Sequence, residues 1–205
     1  MQILAATDFS TRSNRALRQA GLLAQPGNAQ LHIVHVVDDD QPDELVRMEK
    51  REAERVLNEQ IASMSELRDV QARPLIVAGD PFDGILRAAA DVNADLIVMG
   101  SHRKQLLDII SGTTIERVIR KGPFPVLMVN NEAQRKYENV LAPVDMVDAS
   151  ADALRAATTT GLIGDNRATL VHAFMSVGKG KMSIGGADQD IYRQLRRERA
   201  RRGNE

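Results

Sequence analysis

Four short clusters in this 205-residue chain carry residue types that can hold a polar ligand. Each follows an apolar segment, and they occupy residues 7–9, 35–37, 79–81 and 100–102. They contribute a carboxylate at Asp8, an imidazole at His35 and glycine backbone at positions 79 and 100. In an open α/β sheet, ligands bind beyond the carboxyl ends of the strands, where the strand order reverses. The clusters therefore predict one ligand site at that end of a sheet.

The same residues predict neither covalent catalysis nor a metal centre. The chain has no cysteine, which excludes thiolate nucleophiles and thiolate metal sites. His32 and His35 lie an odd number of residues apart in one apolar segment, so on a strand they face opposite sides and are expected as packing residues. The acidic run at residues 38–40 favours the N-terminus of the helix that follows. We predict no catalytic residue and no metal ligand.

Apolar segments alternate with stretches of helical periodicity, and this alternation predicts an α/β fold. The expected strands are residues 3–7, 31–37, 74–78, 95–100 and 125–129, and the expected helices are residues 14–23, 42–67, 82–92 and 114–121. Such alternation implies parallel strands joined by right-handed crossovers. Continuous apolar strands are typical of a sheet that is covered on both faces. The prediction is an open parallel five-stranded sheet with helices on both faces, formed by residues 1–130.

The opening segment of the chain returns 137 positions later without a gap. Residues 3–8 (ILAATD) recur as residues 140–145 (VLAPVD), and the shorter matches ALR and VH at residues 16–18 and 34–35 keep the same offset. The repeat predicts a linker at residues 131–137 and a truncated second domain at residues 138–205, with two strands, one helix and a charged tail. Unpaired strand edges in such a partial domain predict dimerisation or aggregation through residues 138–175.

Composition and charge narrow the class of protein. The chain is 43% hydrophobic and has a formal net charge of −1, which gives no steering toward nucleic acid or membrane. No signal peptide or membrane-spanning run is recognised, so a cytoplasmic protein is expected. Six arginines fall within residues 192–202. We interpret this arginine-rich tail either as a solvated helix of an unfinished domain or as the product of an altered reading frame. A nucleic-acid partner is not expected.

Several motifs together resemble the universal stress protein family. They are the opening ILAATDFS, HVVD at residues 35–38, GDP at residues 79–81, LIVMGSH at residues 96–102, GTTIERV at residues 112–118 and PFPVLMV at residues 123–129. The resemblance covers about residues 1–130 and implies a Rossmann-like sheet of the adenine-nucleotide alpha-hydrolase type. The repeat resembles the tandem members of the family.

The resemblance also implies a ligand. Family members that bind ATP carry a Gly-x2-Gly-x9-Gly-[Ser/Thr] loop, in which glycine N–H groups approach phosphates and a helix N-terminus favours anions. In this chain the middle glycine is missing and the loop from Gly100 to Gly112 is one residue short. Either the glycine was deleted before Arg103, or Arg103 replaces it and the loop is shortened elsewhere. By the resemblance, Asp8 and Val36 border the adenosine. The residues around the phosphates are then Gly100, His102, Gly112, Thr113 and Thr114. ATP, with Mg²⁺, and a homodimer are the implied cofactor and partner.

Simpler roles exist for two of these residues. Asp8 could serve only a local turn, and Thr113 with Glu116 forms a capping-box pattern that needs no ligand. The leading hypothesis is a nucleotide-binding stress-response protein that acts through conformation or self-association. The alternatives are an interaction module that binds no nucleotide and, on fold analogy alone, a slow ATP hydrolase.

Overall fold

The computed structural model describes residues 1–25, 29–101, 113–132, 137–163 and 168–173. Its main sheet has five parallel strands in the order β3-β2-β1-β4-β5. These strands are β1 (Gln2–Ala6), β2 (Gln30–Val37), β3 (Ala72–Ala78), β4 (Leu96–Gly100) and β5 (Val126–Val129). The predicted open parallel sheet is confirmed.

Helices cover both faces of this sheet, as predicted. One face packs on α1 (Thr11–Ala24) and α2 (Asp43–Ser63), and the other packs on α3 (Pro81–Asp91) and α4 (Thr114–Lys121). Ile3 points into the first core layer and Leu4 into the second, and both are fully buried. Each such side chain stabilises the fold by roughly 1.5–3 kcal/mol through loss of water contact.

Capping residues fix where helices α1 and α3 begin. Ser10 caps α1 by accepting a hydrogen bond from the backbone N–H of Ser13, so the helix begins three residues before the predicted start. Asp80 caps α3 in the same way, and Pro81 occupies the first helical position, where a missing N–H costs nothing. These caps hold the helix N-termini at the carboxyl ends of the strands.

The predicted helix of residues 42–67 is shorter in the structure. It ends at Ser63 and is followed by a separate 3₁₀ turn, Ser65–Leu67. Leu45 and Met48 lie on the apolar side of this helix but are 46% and 54% exposed. The buried residues of the helix, Ala53 and Leu57, lie further along it. The apolar period was therefore right for the helix and wrong for the depth of burial in its first turns.

A second, two-stranded parallel sheet follows. Strand β6 (Val140–Pro143) pairs with β7 (Ala168–Val171), and α5 (Asp148–Thr159) lies between them in the chain. Partners across β6 and β7 are 28 residues apart, as Val140 and Ala168 show, and partners across β1 and β2 have the same spacing. The geometry of this unit therefore matches that of the first crossover at the offset read from the sequence.

Two hydrogen bonds extend this match beyond the strands. The N–H of Thr7 donates to Val34 and the N–H of Val144 donates to Val171, both at 2.9 Å. His35 Nδ1 lies 2.9 Å from the Thr7 carbonyl, and His172 Nδ1 lies 2.9 Å from the Val144 carbonyl. Each residue of the second pair stands 137 positions after its counterpart in the first.

The two crossovers differ in how their sheets are covered. Leu4 and Val34 are 0% and 1% exposed beneath α3 and α4, whereas their counterparts Leu141 and Val171 are 66% and 42% exposed. We call the surface formed by Leu141, Pro143 and Val171 the open face. None of the helices in the described part of the chain is long and apolar enough to cross a bilayer.

Candidate functional site

A cavity of about 300 Å³ opens at the carboxyl ends of β1, β2 and β4. From β1 the chain adds β2 and β3 on one side of the sheet and then crosses over to add β4 and β5 on the other side. The strand order therefore reverses at β1 and β4, where ligands of such sheets bind. Its volume is at the lower end of the roughly 300–1,000 Å³ that small-molecule sites occupy. The location is the one predicted from the alternation of strands and helices.

The cavity brings together residues from all four predicted clusters. Five of the seven predicted ligand-binding residues line it: Asp8, Val36, Gly100, Thr113 and Thr114. The other two, His102 and Gly112, lie outside the described residues, as does Arg103. The third cluster contributes Pro81 to the cavity wall. Whether these residues bind a ligand stays a prediction, but their convergence at one place is a structural fact.

Asp8 supplies the carboxylate of the cavity. Its Oδ1 accepts a hydrogen bond of 3.0 Å from the backbone N–H of Ser10, which is the local turn considered as its simpler role. Burial would raise the pKa of Asp8, but hydrogen bonds from the Ser10 and Ser13 hydroxyls and from the Ser10 backbone outweigh this and lower the pKa. The side chain is therefore anionic at neutral pH and can accept hydrogen bonds from hydroxyl or amino groups of a ligand.

His35 forms part of the cavity wall, as its cluster at a strand end predicted, although packing was the simpler role expected for its side chain. Its Nδ1 lies 2.9 Å from the Thr7 carbonyl oxygen, which can only accept, so Nδ1 carries a hydrogen. Its ring lies against Phe9, with ring centroids 4.3 Å apart, and Phe9 adopts a left-handed backbone with φ of 61°. In the neutral ring, Nε2 is then the acceptor.

Thr113 and Thr114 stand at the N-terminus of α4. Thr113 forms the predicted capping box: the N–H of Glu116 donates to its hydroxyl at 3.3 Å, and its own N–H donates to Glu116 Oε2 at 3.1 Å. The hydroxyl acts as an acceptor in this cap, so its own hydrogen can still be donated into the cavity. The capping role and a ligand role are therefore compatible.

Gly100 allows a close approach between two backbones. A Cβ atom at this position would lie 2.6 Å from the carbonyl oxygen of Arg12 and 2.9 Å from the N–H nitrogen of Ser13. The end of β4 is thus packed directly on the first turn of α1. Glycine at position 100 has a structural reason here that holds with or without a phosphate ligand.

Arg12 was not among the residues predicted to bind a ligand. It lies in the first turn of α1 and lines the cavity, where it is the one cationic side chain among the described lining residues. Its position four residues after Asp8, at the start of a capped helix, was the signal that could have found it. Within the described ranges, no three His, Asp or Glu side chains are grouped so that they could hold a metal ion.

Known proteins are similar to this chain in sequence and in fold. A universal stress protein of Methanocaldococcus jannaschii is 29% identical over 154 residues, which is 64% of this chain and 95% of that protein. A crystal structure of a universal stress protein in complex with cAMP matches with a TM-score of 0.53 at 24% identity, over 63% of this chain and 96% of that one. This second likeness shows the fold alone.

A longer match reaches into the second unit. The crystal structure of a universal stress protein from Archaeoglobus fulgidus covers 90% of this chain and 72% of its own length, with a TM-score of 0.72 at 19% identity. It, too, shows only a shared fold. The profile of the universal stress protein family itself matches residues 1–130, which is more than half of the chain. The chain therefore belongs to the universal stress protein family.

Proposed function

We propose that this chain is a cytoplasmic regulatory protein of the stress response that binds an adenine nucleotide, ATP with Mg²⁺, in the cavity at the strand ends. The observation that carries the proposal is the convergence of Asp8, Val36, Gly100, Thr113 and Thr114 on that one cavity. The cAMP complex of a protein with the same fold supports the choice of an adenine nucleotide.

Different lining residues suit different parts of such a ligand. Asp8 offers a carboxylate for ribose hydroxyls or an exocyclic amine, and Val36 offers an apolar contact for a base. Thr113 and Thr114 present a hydroxyl and backbone N–H groups at a helix N-terminus, where anions are stabilised. The donor set therefore fits a phosphate, and bound Mg²⁺ would neutralise part of its charge.

We propose binding rather than turnover as the function. Hydrolysis needs a base or a water-positioning group near the terminal phosphate. The imidazole among the described lining residues, His35, is tied by Nδ1 to the Thr7 carbonyl and stacks on Phe9 at the side of the cavity formed by β1 and β2. This arrangement suits a fixed wall of a binding site.

A second candidate function is an interaction module that binds no nucleotide. Two observations favour it. Gly100 is required by its contact with the Arg12 backbone, and Thr113 is occupied by its capping box, so neither residue needs a ligand to explain it. The two functions differ in one measurable quantity, which is the affinity of the folded protein for nucleotide.

We further propose that residues 138–173 begin a second copy of the same domain, and that the chain self-associates through the open face. The matched register and hydrogen bonds at the 137-residue offset support the first statement. The exposure of Leu141 and Val171, whose counterparts are buried, supports the second. An apolar sheet face without a cover is a common site of protein association.

Isothermal titration of nucleotide-free protein with Mg-ATP, and separately with cAMP, tests the main proposal. The variant Asp8→Asn keeps the shape of the side chain and its turn, but removes the charge. We expect micromolar binding by the wild-type protein and about ten-fold weaker binding by the variant, since a hydrogen bond to a charged group contributes about 1.5–3 kcal/mol.

The matched control is Asp91→Asn, at an exposed carboxylate at the end of α3 that does not line the cavity. Its affinity should equal that of the wild type. If folded, nucleotide-free wild-type protein binds neither ligand, the nucleotide proposal is wrong and the interaction module becomes the better description.

A further inference from the structure

Three arginines lie along one side of α1, and two of them have a partner among the residues that the structure describes. Arg15 donates to the carbonyl of Asn130 at 3.3 Å, and Arg18 forms an ion pair with Glu66 at 2.7 Å. Arg12 has neither a hydrogen bond nor an ion pair with any described residue, although it is partly buried and lines the cavity. A guanidinium without an acceptor in the described residues has hydrogen-bonding capacity that is available to a ligand.

The position of Arg12 is fixed by the fold. Its carbonyl is in contact with the backbone of Gly100, so the start of α1 cannot move away from the end of β4 without loss of that packing. Ser10 caps the same helix, and the remaining N–H groups of its first turn face the same end of the sheet. A cation and a helix N-terminus therefore act together at one end of the cavity.

Charge within the cavity is separated. Among the described lining residues, Asp8 is the one carboxylate and Arg12 is the one cation. They stand four positions apart in the chain, yet no ion pair joins them. The cavity thus offers the Asp8 carboxylate as a hydrogen-bond acceptor and the Arg12 guanidinium as a donor. These two groups suit a ligand that has both hydroxyl donors and an anionic group.

We propose that Arg12 binds the phosphate of the ligand, and that this contact contributes to the preference for a nucleotide over the corresponding nucleoside. This inference rests on the proposed function. The guanidinium forms paired hydrogen bonds to phosphate oxygens, and the hydroxyl of Thr113 and the N-terminus of α4, which line the same cavity, complete the anion environment.

Calorimetric titration with ATP, AMP and adenosine tests this role in the full chain. For Arg12→Gln we expect about ten-fold or greater loss of affinity for ATP and AMP, and less than about two-fold for adenosine, because only the phosphate contact is removed. Arg12→Lys should lie between the two, since it keeps the charge and loses the paired geometry. Arg15→Gln, at an arginine of the same helix outside the cavity lining, should bind all three ligands as the wild type does.

The outcomes separate the two proposals. If wild-type protein binds no adenine ligand, the proposed function fails and this inference fails with it. If wild-type protein binds ATP and Arg12→Gln binds it equally well, or loses adenosine to the same degree as ATP, only the role of Arg12 is overturned. The salt dependence of ATP affinity gives a second readout: it should be shallower in Arg12→Gln than in Arg15→Gln, and equal slopes contradict the proposal.

Discussion

The backbone of Gly100 packs on the backbone of Arg12 so closely that a methyl group at position 100 would stand 2.6 Å from the Arg12 carbonyl oxygen. Neither atom belongs to a flexible side chain, so the clash can be relieved only by moving β4 or α1. Both elements form walls of the cavity. One contact therefore couples the stability of the domain to the shape of its site.

Gly100→Ala should lower the free energy of unfolding by about 1–3 kcal/mol, because overpacking of a tight contact displaces the backbone. Urea unfolding followed by circular dichroism measures this change. Gly122→Ala is the control: its Cβ would clash with Cδ2 of Leu86, the end of a flexible side chain that can rotate away, and would lie 3.0 Å from the carbonyl oxygen of Val118. A loss at Gly100 no larger than the loss at Gly122 would show that the backbone contact is not the stiffer of the two.

Thr113→Val should destabilise the domain by about 1 kcal/mol, since the side-chain oxygen that caps α4 is removed while the volume is kept. Thr113→Ser keeps that oxygen and should remain within a few tenths of a kcal/mol of the wild type. The same urea experiment compares the two variants. Equal stabilities of the valine and serine variants would contradict a capping role for the hydroxyl.

The stability of the domain should depend on the protonation of His32. Burial lowers the pKa of this histidine below its ordinary value of 6.5, and the positive charge of Arg73 on the neighbouring strand lowers it further. The unfolded chain therefore takes up a proton below about pH 6.5 more readily than the folded one. This contribution to stability is complete above that pH and is lost as the pH falls through the folded pKa.

Urea midpoints measured between pH 7.5 and pH 5 check this expectation. His32→Leu should show a flatter dependence over this window, because it has nothing to titrate. Arg73→Gln keeps the burial of His32, which is the larger cause, and should retain most of the slope. A slope unchanged by His32→Leu would assign the pH dependence to other groups.

Leu141→Glu should reduce self-association, because it places a charge at the centre of the open face. Sedimentation velocity should show a dimer for the wild type and a monomer for the variant. Leu45→Glu is the matched control, since Leu45 is an exposed leucine at 46% on α2, outside the open face, and its substitution should leave the dimer intact. A monomeric wild type, or a dimer in both variants, would remove the open face from consideration as the interface.

Much of the fold could be predicted from the spacing of apolar residues and from the residues that begin helices. Strand cores such as residues 3–6 are fully apolar, and Pro81 after Asp80 marks a helix start by local chemistry. The predicted reach of α2 through Leu67 was wrong because periodicity does not report where a backbone leaves helical geometry. It also cannot show that Leu45 and Met48 extend past the layer that would bury them.

The site could be predicted only in part. Because the parallel topology places the carboxyl ends of the strands together, the convergence of Asp8, Val36 and Gly100 could be predicted from the sequence. The orientation of a surface arginine depends on whether a neighbour offers an acceptor, and that neighbour is Asn130 for Arg15 and none of the described residues for Arg12. The left-handed backbone of Phe9 that sets its ring against His35 is likewise a tertiary result.

Pro143 stands in β6 where the first crossover has Ala6 in β1. The N–H of the next residue, Val144, is directed to β7, so the group before it faces the outer side of β6, where β1 meets β4 in the first sheet. Proline has no N–H, and that side of β6 therefore lacks one of the donors that an incoming strand would need. Proline at position 143 therefore disfavours pairing of a further strand at this edge, which agrees with the proposal that self-association uses the open face.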